Sequence, residues 1–227
     1  MNANTKTAFL EQFPLFSVLS AEEKQRLIQM VEFKRKARHQ YIYMTGDTSD
    51  TIYFLAKGVV KIGTHSNDGR EVIKAILHPM AMFGELCVVG ESNRPDFARA
   101  MSQDVQYFAL NVQDFKSLIS TNHRLCNRLM NMLGERLRKT ENRLEALIFK
   151  DARTRIIEFI KDSARKRGMR IGLDETLVKH TLTQQDIANI TGTSRQTVTS
   201  VLNDLKKSNL IHFNRRSILI RDLARLA

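Results

Sequence analysis

The sequence predicts an α+β protein in which a β-rich N-terminal part, a long amphipathic helix and a C-terminal helical part follow one another. Residues 33–110 hold short runs rich in β-branched and aromatic residues, separated by turn signals such as TGDTSD and SNDGR. From residue 121 to 149, leucines recur at helical spacing between charged residues. Residues 183–206 contain two shorter helical patterns that are divided by Gly192. This order of strands and then helices favours the α+β class.

The charge balance points to a polyanionic partner. The formal net charge of the 227 residues is +12, and residues 151–227 carry 15 Lys and Arg against 8 Asp and Glu. Nucleic acid and an anionic membrane surface are both polyanions that such a chain can bind. Cys87 and Cys126 are the two cysteines, which excludes a disulfide scaffold. With no long apolar run and no signal-peptide pattern, we expect a cytoplasmic protein that does not bind a membrane.

Helices and then a β-sandwich or barrel are predicted for the N-terminal part. Residues 9–31 have short helical patterns, and Ser20 with Glu23 has the spacing of a capping box. The β-rich runs that follow are typical of a sandwich or barrel. Four glycines of this part are expected at turns with positive φ or at close backbone approaches: Gly46, Gly58, Gly69 and Gly84.

The long helix carries a narrow apolar seam with charged flanks. The seam consists of Leu129, Leu133, Leu137, Thr140, Leu144 and Leu147. One interpretation is a helix that packs on its own domain; the other is a two-stranded coiled coil between two copies of the chain. We favour the coiled coil as the dimer interface, because the seam is narrow and the helix is long enough to project beyond one domain. Asp151 is then expected to cap a new helix after a hinge at residues 149–151.

The pattern around Gly192 predicts a helix-turn-helix. Ala188 is small enough for two helices to approach, Gly192 suits a left-handed turn, and Val198 fills the helix crossing. The second helix is expected to begin near Ser194. After it, Leu210-Ile211-His212 and Ile218-Leu219-Ile220 predict the hairpin of a winged helix, with FNRRS between them.

The polar residues of this motif have the chemistry of DNA recognition. Arg195 can bind guanine and Gln196 can bind adenine in the major groove. Thr199 and Ser200 share their exposed helix face. Thr183, Gln185, Ser194 and Thr197 are expected to donate hydrogen bonds to phosphates. A helical hairpin with a merely solvated polar face is the alternative, but the basic charge and the predicted wing favour DNA binding.

Over essentially its whole length the chain resembles the Crp/Fnr family of transcription regulators. The resemblance rests on Gly58-Val59-Val60-Lys61, on Phe83-Gly84-Glu85-Leu86 and on Ser194-Arg195-Gln196-Thr197-Val198. It implies a jelly-roll β-barrel like that of cyclic-nucleotide-binding proteins, a dimerisation helix and a winged helix-turn-helix. The predicted domains are residues 1–115, 116–150 and 151–227.

The resemblance implies an effector pocket that departs from the cyclic-AMP pattern of the family. Relatives that bind cyclic AMP have a Glu for the ribose and an Arg-Ser pair for the phosphate, and a Thr and a Ser from the long helices meet the base. Here Glu85 and Arg94 match, but Pro95 replaces the Ser and Glu141 follows Thr140. The predicted pocket residues are therefore Gly84, Glu85, Leu86, Arg94, Thr140 and Glu141. Cyclic AMP is disfavoured, and a Glu85–Arg94 pair that merely holds the loop is the preferred alternative.

The predicted function is regulation of transcription by a homodimer bound to an inverted repeat in double-stranded DNA, with RNA polymerase as a further partner. No iron–sulfur cluster is expected, since no cysteine precedes Cys87, and no haem, since Gly84-Glu85-Leu86 stands where haem-binding relatives have a Cys or His. No catalytic grouping indicates an enzyme. The rival function is a cyclic-nucleotide-binding module that acts on a protein partner.

Overall fold

A computed structural model describes residues 3–214 and 216–226, with side chains from residue 6 onward. The chain divides into two compact units. The first comprises Met1–Thr64 and Lys74–Arg138, and the second comprises His65–Ile73 and Lys139–Ala227. The division therefore falls within the long helix, whereas the domain boundaries predicted at residues 115 and 150 remain predictions. In the described ranges, no helix is both long and apolar enough to cross a membrane.

The β-rich part is a jelly roll of two antiparallel sheets, as predicted. Its strands are β1 (Glu32–Ala37), β2 (Tyr41–Tyr43), β3 (Thr51–Lys57), β4 (Val60–His65), β5 (Glu71–Leu77), β6 (Met82–Phe83), β7 (Phe97–Ala100) and β8 (Asp104–Asn111). The sheet orders are β1-β8-β3-β6 and β2-β7-β4-β5. In the part of the chain that the structure describes, these are two open sheets and not one closed barrel. All four glycines named above have positive φ, as predicted.

Helices that precede and follow the strands in the chain complete the core of the first unit. They are α1 (Ala3–Gln12), a 3-10 helix (Pro14–Val18), α2 (Ala21–Met30), α3 (Val112–Thr121) and α4 (His123–Phe149). The predicted capping box is confirmed: the Ser20 hydroxyl accepts from the Glu23 N–H, and the Glu23 carboxylate accepts from the Ser20 N–H. Phe16, Phe54 and Phe108 are fully buried between these helices and the first sheet.

The apolar seam of α4 has two different environments. Leu129 is only 4% exposed and packs in the core of the first unit, and Leu133 is half-buried against the same core. The assignment of Leu129 to a dimer interface is therefore wrong, because its surface is already covered by its own chain. Leu137, Leu144 and Leu147 are 60%, 58% and 51% exposed, and Thr140 is also exposed. This exposed part of the seam is available to a partner.

The second unit is a winged helix-turn-helix. Its elements are α5 (Ala152–Arg167), β9 (Met169–Arg170), β10 (Thr176–Lys179), α6 (Gln184–Thr191), α7 (Arg195–Lys207), β11 (Ile211–Phe213) and β12 (Ser217–Ile220). As predicted, Asp151 caps α5 by accepting from the Thr154 N–H at 2.7 Å. The predicted hairpin is β11 and β12, which join β10 and β9 in the sheet order β11-β12-β10-β9. Arg215, which belongs to the FNRRS segment that the sequence predicts between the two strands, lies outside the described residues.

Candidate nucleic-acid interface

A capping box determines where α6 begins. The Thr183 hydroxyl accepts from the Asp186 N–H at 3.0 Å, and the Asp186 carboxylate accepts from the Thr183 N–H at 2.9 Å. Asp186 is buried, and its negative charge lies at the positive end of the α6 dipole. Thr183 itself is exposed, as is Gln185 two residues later, whose amide donates to Asn189. Both predicted phosphate contacts therefore lie on the surface at the start of α6.

Gly192 makes the turn between the two helices. It has φ 63° and ψ 47°, a left-handed conformation that residues with a side chain adopt at a cost. Behind the turn, Ala188 and Val198 are fully buried, which allows α6 and α7 to pack closely. Ser194 then caps α7 by accepting from the Thr197 N–H at 3.0 Å. The predicted helix-turn-helix is present with its second helix one residue after the predicted start.

Helix α7 buries one face and exposes another. Val198, Val201, Leu202 and Leu205 are buried. On the opposite side Arg195, Gln196 and Ser200 are exposed, and so is Ser194 before the helix. The predicted base-reading residues thus share one solvent-facing surface at the N-terminal end of α7, where the helix dipole is positive.

Thr199 has a different position from the one predicted. Its hydroxyl lies 2.7 Å from the Gln184 side-chain oxygen and 2.9 Å from the Arg195 carbonyl oxygen, and the side chain is half-buried. The prediction that Thr199 lies on the exposed DNA-binding face is therefore corrected: the side chain is half-buried and its hydroxyl joins α7 to α6. Thr197 is also half-buried, and its hydroxyl bonds to that of Ser194 at 2.8 Å.

Exposed basic side chains also lie at the other end of α7 and in the hairpin. Lys206 and Lys207 are exposed in the last turn of α7, and Arg216 is exposed in the hairpin. Burial lowers the pKa of His180, which lies just before α6, so this ring is neutral at physiological pH. The positive potential of this unit therefore comes from its Lys and Arg side chains.

The predicted effector residues of the first unit make bonds to the protein itself. Arg94 is 3% exposed and donates to the carbonyl oxygens of Gly84, at 2.9 Å, and Thr51. Its guanidinium carbon lies 4.5 Å from the Tyr43 ring centre and 5.4 Å from that of Tyr53. Arg94 is thus held between two aromatic rings and two backbone carbonyls.

Glu85 has a partner that the sequence reasoning missed. Arg136, on α4, donates to the Glu85 carboxylate and to the Met82 carbonyl oxygen. The prediction that Glu85 pairs with Arg94 is therefore wrong, because Glu85 pairs with Arg136. Arg94 nevertheless holds the loop by donating to the Gly84 carbonyl oxygen. Arg136 lies four residues before Thr140, so helical spacing from the predicted pocket residues could have indicated it.

The other predicted pocket residues differ in exposure. Gly84 is in the left-handed region with φ 72°, and a Cβ there would lie 2.8 Å from an Arg94 Nη atom. Leu86 is exposed on the short helix that follows, and Thr140 and Glu141 are exposed on α4. Near Arg94, the Tyr43 hydroxyl donates to buried Asp96 at 3.3 Å, and burial together with the Asp96 charge raises the pKa of Tyr43.

Comparison with known proteins agrees with both parts of this geometry. The family described as "Cyclic nucleotide-binding domain" matches residues 33–122, and the "Crp-like helix-turn-helix domain" matches residues 154–227. A relative from Mycobacterium tuberculosis, named CRP-like cAMP-activated global transcriptional regulator, is 33% identical over 93% of this chain and 91% of its own. The chain belongs to the Crp/Fnr family.

Other members of the family are similar over comparable lengths. The Cyclic AMP receptor protein of Thermus thermophilus is 28% identical over 94% of both chains. A solved structure of a CooA mutant from Carboxydothermus hydrogenoformans has a TM-score of 0.77 and 25% identity, and the match covers 93% of each chain. This Crp/Fnr protein is thus a DNA-binding regulator of transcription by family, as the sequence predicted, and the Mycobacterium relative is named as such a regulator.

Asn203 is a further candidate that the sequence reasoning missed. It lies seven residues after Gln196, two turns along the same exposed face of α7. The seven-residue spacing was visible in the sequence. An Asn side chain can bind adenine or a phosphate, so Asn203 extends the candidate interface of this Crp/Fnr protein toward the C-terminal end of α7.

We expect Thr199→Val and Gln196→Ala to weaken DNA binding in different ways. Valine keeps the shape of Thr199 but leaves the Gln184 oxygen without its donor, which should weaken binding to every sequence by about threefold to tenfold. Gln196→Ala should instead change the preferred base at one position. Binding to a set of single-base variants of the preferred site measures both effects. Ser208→Ala, exposed at the C-terminal end of α7 and outside the predicted DNA contacts, is the control for the loss of a hydroxyl. A changed base preference in Thr199→Val would show that Thr199 contacts a base and does not merely join α7 to α6.

Proposed function

We propose that this protein regulates transcription as a homodimer that binds an inverted repeat in double-stranded DNA, with an effector pocket altered from the cyclic-AMP pattern. The proposal includes RNA polymerase as a partner and the cytoplasm as location, by analogy with the family. It includes neither an iron–sulfur cluster nor a haem, because the sequence lacks the cysteine pattern and cassette ligands of such relatives.

The exposed N-terminal end of α7 is the observation that carries the DNA-binding part. Arg195 and Gln196 project from a helix whose other face is buried against α6 and α5, so the helix is rigid where it meets a partner. Arg is suited to the O6 and N7 acceptors of guanine, and Gln to the N7 and N6 groups of adenine. Exposed Gln185 and Ser194 flank them and can donate to phosphates, whereas the Thr183 hydroxyl donates to the Asp186 carboxylate at 2.7 Å.

The exposed seam of α4 supports the dimer. Leu137 and Leu144 are one heptad apart, and Leu147 follows three residues later, which is the spacing of coiled-coil core positions. All three are more than half exposed within one chain. If a second copy of the chain buries these leucines, each stabilises the dimer by about 1.5–3 kcal/mol on full burial.

The bonds made by Arg94 and Glu85 support an altered effector pocket. Arg94 already donates to two backbone carbonyls, so a phosphate at Arg94 is left with its buried Nε and the remaining N–H groups of its two Nη atoms. A ribose that binds Glu85 must compete with the Arg136 guanidinium. Exposed Pro95 adds neither a hydroxyl nor an N–H donor. The names of the Mycobacterium and Thermus relatives favour cyclic AMP as the second candidate, and direct binding separates the two.

For DNA readout, we expect Arg195→Ala to weaken binding by about 1–3 kcal/mol per half-site and to relax specificity at one base pair. Selection from a random DNA library should yield an inverted repeat with half-site centres about 34 Å apart. Arg165→Ala, which removes an exposed arginine from the last turn of α5, is the matched control. A preferred site without dyad symmetry would contradict the dimer, and no DNA binding at all would favour the rival module that acts on a protein.

For the dimer, we expect Leu137→Lys combined with Leu144→Lys to give monomers that bind DNA much more weakly. Charges at two core positions of a coiled coil prevent close packing of the two helices. Light scattering measures the mass, and Asn142→Lys, exposed on another side of α4, is the control for added charge. A double variant that stays dimeric would show that this seam is not the dimer interface.

For the effector, calorimetry with cyclic AMP should show no site with a micromolar dissociation constant, which corresponds to roughly −8 kcal/mol. Pro95→Ser with Glu141→Ser restores the donors of the family pattern and removes a carboxylate, so this double variant should bind cyclic AMP more tightly than the wild type. Tight binding by the wild type would make cyclic AMP the effector and Arg94 its phosphate ligand.

A further inference from the structure

The guanidinium of Arg155 joins the end of α4 to the turn of the helix-turn-helix. Arg155 lies in the first turn of α5 and is half-buried. Its Nη1 donates to the Lys150 carbonyl oxygen at 2.6 Å, its Nε to the Thr191 carbonyl oxygen at 2.8 Å, and its Nη2 to the Gly192 carbonyl oxygen at 3.1 Å. All of these residues belong to the second unit.

The three carbonyls are the ones that helix geometry leaves without partners. The last carbonyl groups of an α-helix have no N–H of the next turn to accept from. Thr191 is the last residue of α6 and Gly192 its C-cap, while Lys150 directly follows α4. One cation therefore satisfies the C-terminal ends of two helices, where the helix dipoles also favour positive charge.

Leu147 strengthens the same junction. Its Cδ2 atom would lie 2.7 Å from a Cβ added to Gly192, so the last turn of α4 packs directly on the glycine of the turn. Two residues later, Ser194 caps α7, which starts with Arg195. The position of the α4 end and the position of the first DNA-facing residues are thus set by one cluster: Leu147, Lys150, Arg155, Thr191 and Gly192.

We infer that Arg155 is a positioning residue for DNA recognition, which holds α7 in a fixed orientation relative to the last turns of α4. It acts through the backbone of the turn and touches no DNA. Residues 149–151, which the sequence predicts as a hinge, then move as one rigid body with α7. A conformational change that reorients α7 must therefore bend or unfold α4 at residues that precede Leu147. This inference rests on the proposed DNA-binding function.

Arg155→Lys is the most informative variant. Lysine keeps the positive charge and the helix propensity, but its ammonium group cannot reproduce the planar guanidinium, which donates to three carbonyl oxygens at once. We expect DNA affinity to fall about tenfold, as for the loss of a charged hydrogen bond, with the base preference unchanged at every position. Arg155→Gln should have a similar effect and should leave the salt dependence of binding unchanged, because Arg155 neutralises no phosphate.

A distance measurement tests the clamp without DNA. Spin labels are attached to Glu145→Cys on α4 and Lys207→Cys on α7, in full-length protein whose native cysteines are removed by Cys87→Ser and Cys126→Ser. The distance between the two labels reports how α7 is placed relative to the end of α4. Mixing labelled with excess unlabelled protein removes distances between subunits. The parent protein should give a narrow distribution, and Arg155→Lys should broaden it. Arg165→Lys, exposed in the last turn of α5, should leave it narrow.

Each outcome separates one cause from another. Parent-like affinity and a parent-like distance distribution in Arg155→Lys would overturn the inference. A lower affinity with a narrow distribution, or a salt dependence reduced by about one ion in Arg155→Gln, would show a direct DNA contact instead. If the parent protein binds no DNA, the proposed function fails, and the distances still decide whether Arg155 holds the two helices together.

Discussion

The left-handed turn at Gly192 is the constraint on which the DNA-facing surface depends. Its positive φ lets the chain reverse within a few residues, so that Ala188 and Val198 meet in one buried contact and Arg195 begins α7 on the outside. A side chain at this position would strain the backbone and would also meet Leu147 at 2.7 Å. The glycine is therefore required twice, once by the turn and once by the helix that packs on it.

Charge is used differently in the two units. In the second unit, Lys and Arg side chains lie on the surface of α7 and the hairpin, where they attract a polyanion over distances of about 8 Å at physiological salt. In the first unit, Arg94 and Asp96 are buried, and such groups are costly to bury unless they have partners. Tyrosine rings, carbonyl oxygens, the Tyr43 hydroxyl and Lys74 supply them. An effector of this pocket must offer interactions at least as good as those it replaces.

Local signals in the sequence were sufficient for the elements and for most of the interface. Caps at Ser20 and Asp151, the turn at Gly192 and the periodicity of α7 depend on neighbours within four residues, and each prediction agrees with the structure. The exposure of Arg195 and Gln196 follows from the same periodicity. Family resemblance, and not local pattern, supplied the jelly-roll topology and the residues of the effector pocket.

Some questions depended on contacts between residues far apart in the chain, and these the sequence left open. A leucine at a seam position has the same chemistry whether its own core or a partner covers it, so only packing placed Leu129 inside and Leu137 outside. Arg136 could have paired with any nearby carboxylate, and tertiary structure brought it to Glu85. The sequence by itself determined the family, the helix-turn-helix and its outward chemistry, because these depend on short-range spacing. Tertiary structure alone decided which long side chains join separate elements, because an arginine such as Arg155 can reach many carbonyls and only the packed helices determine which ones are near.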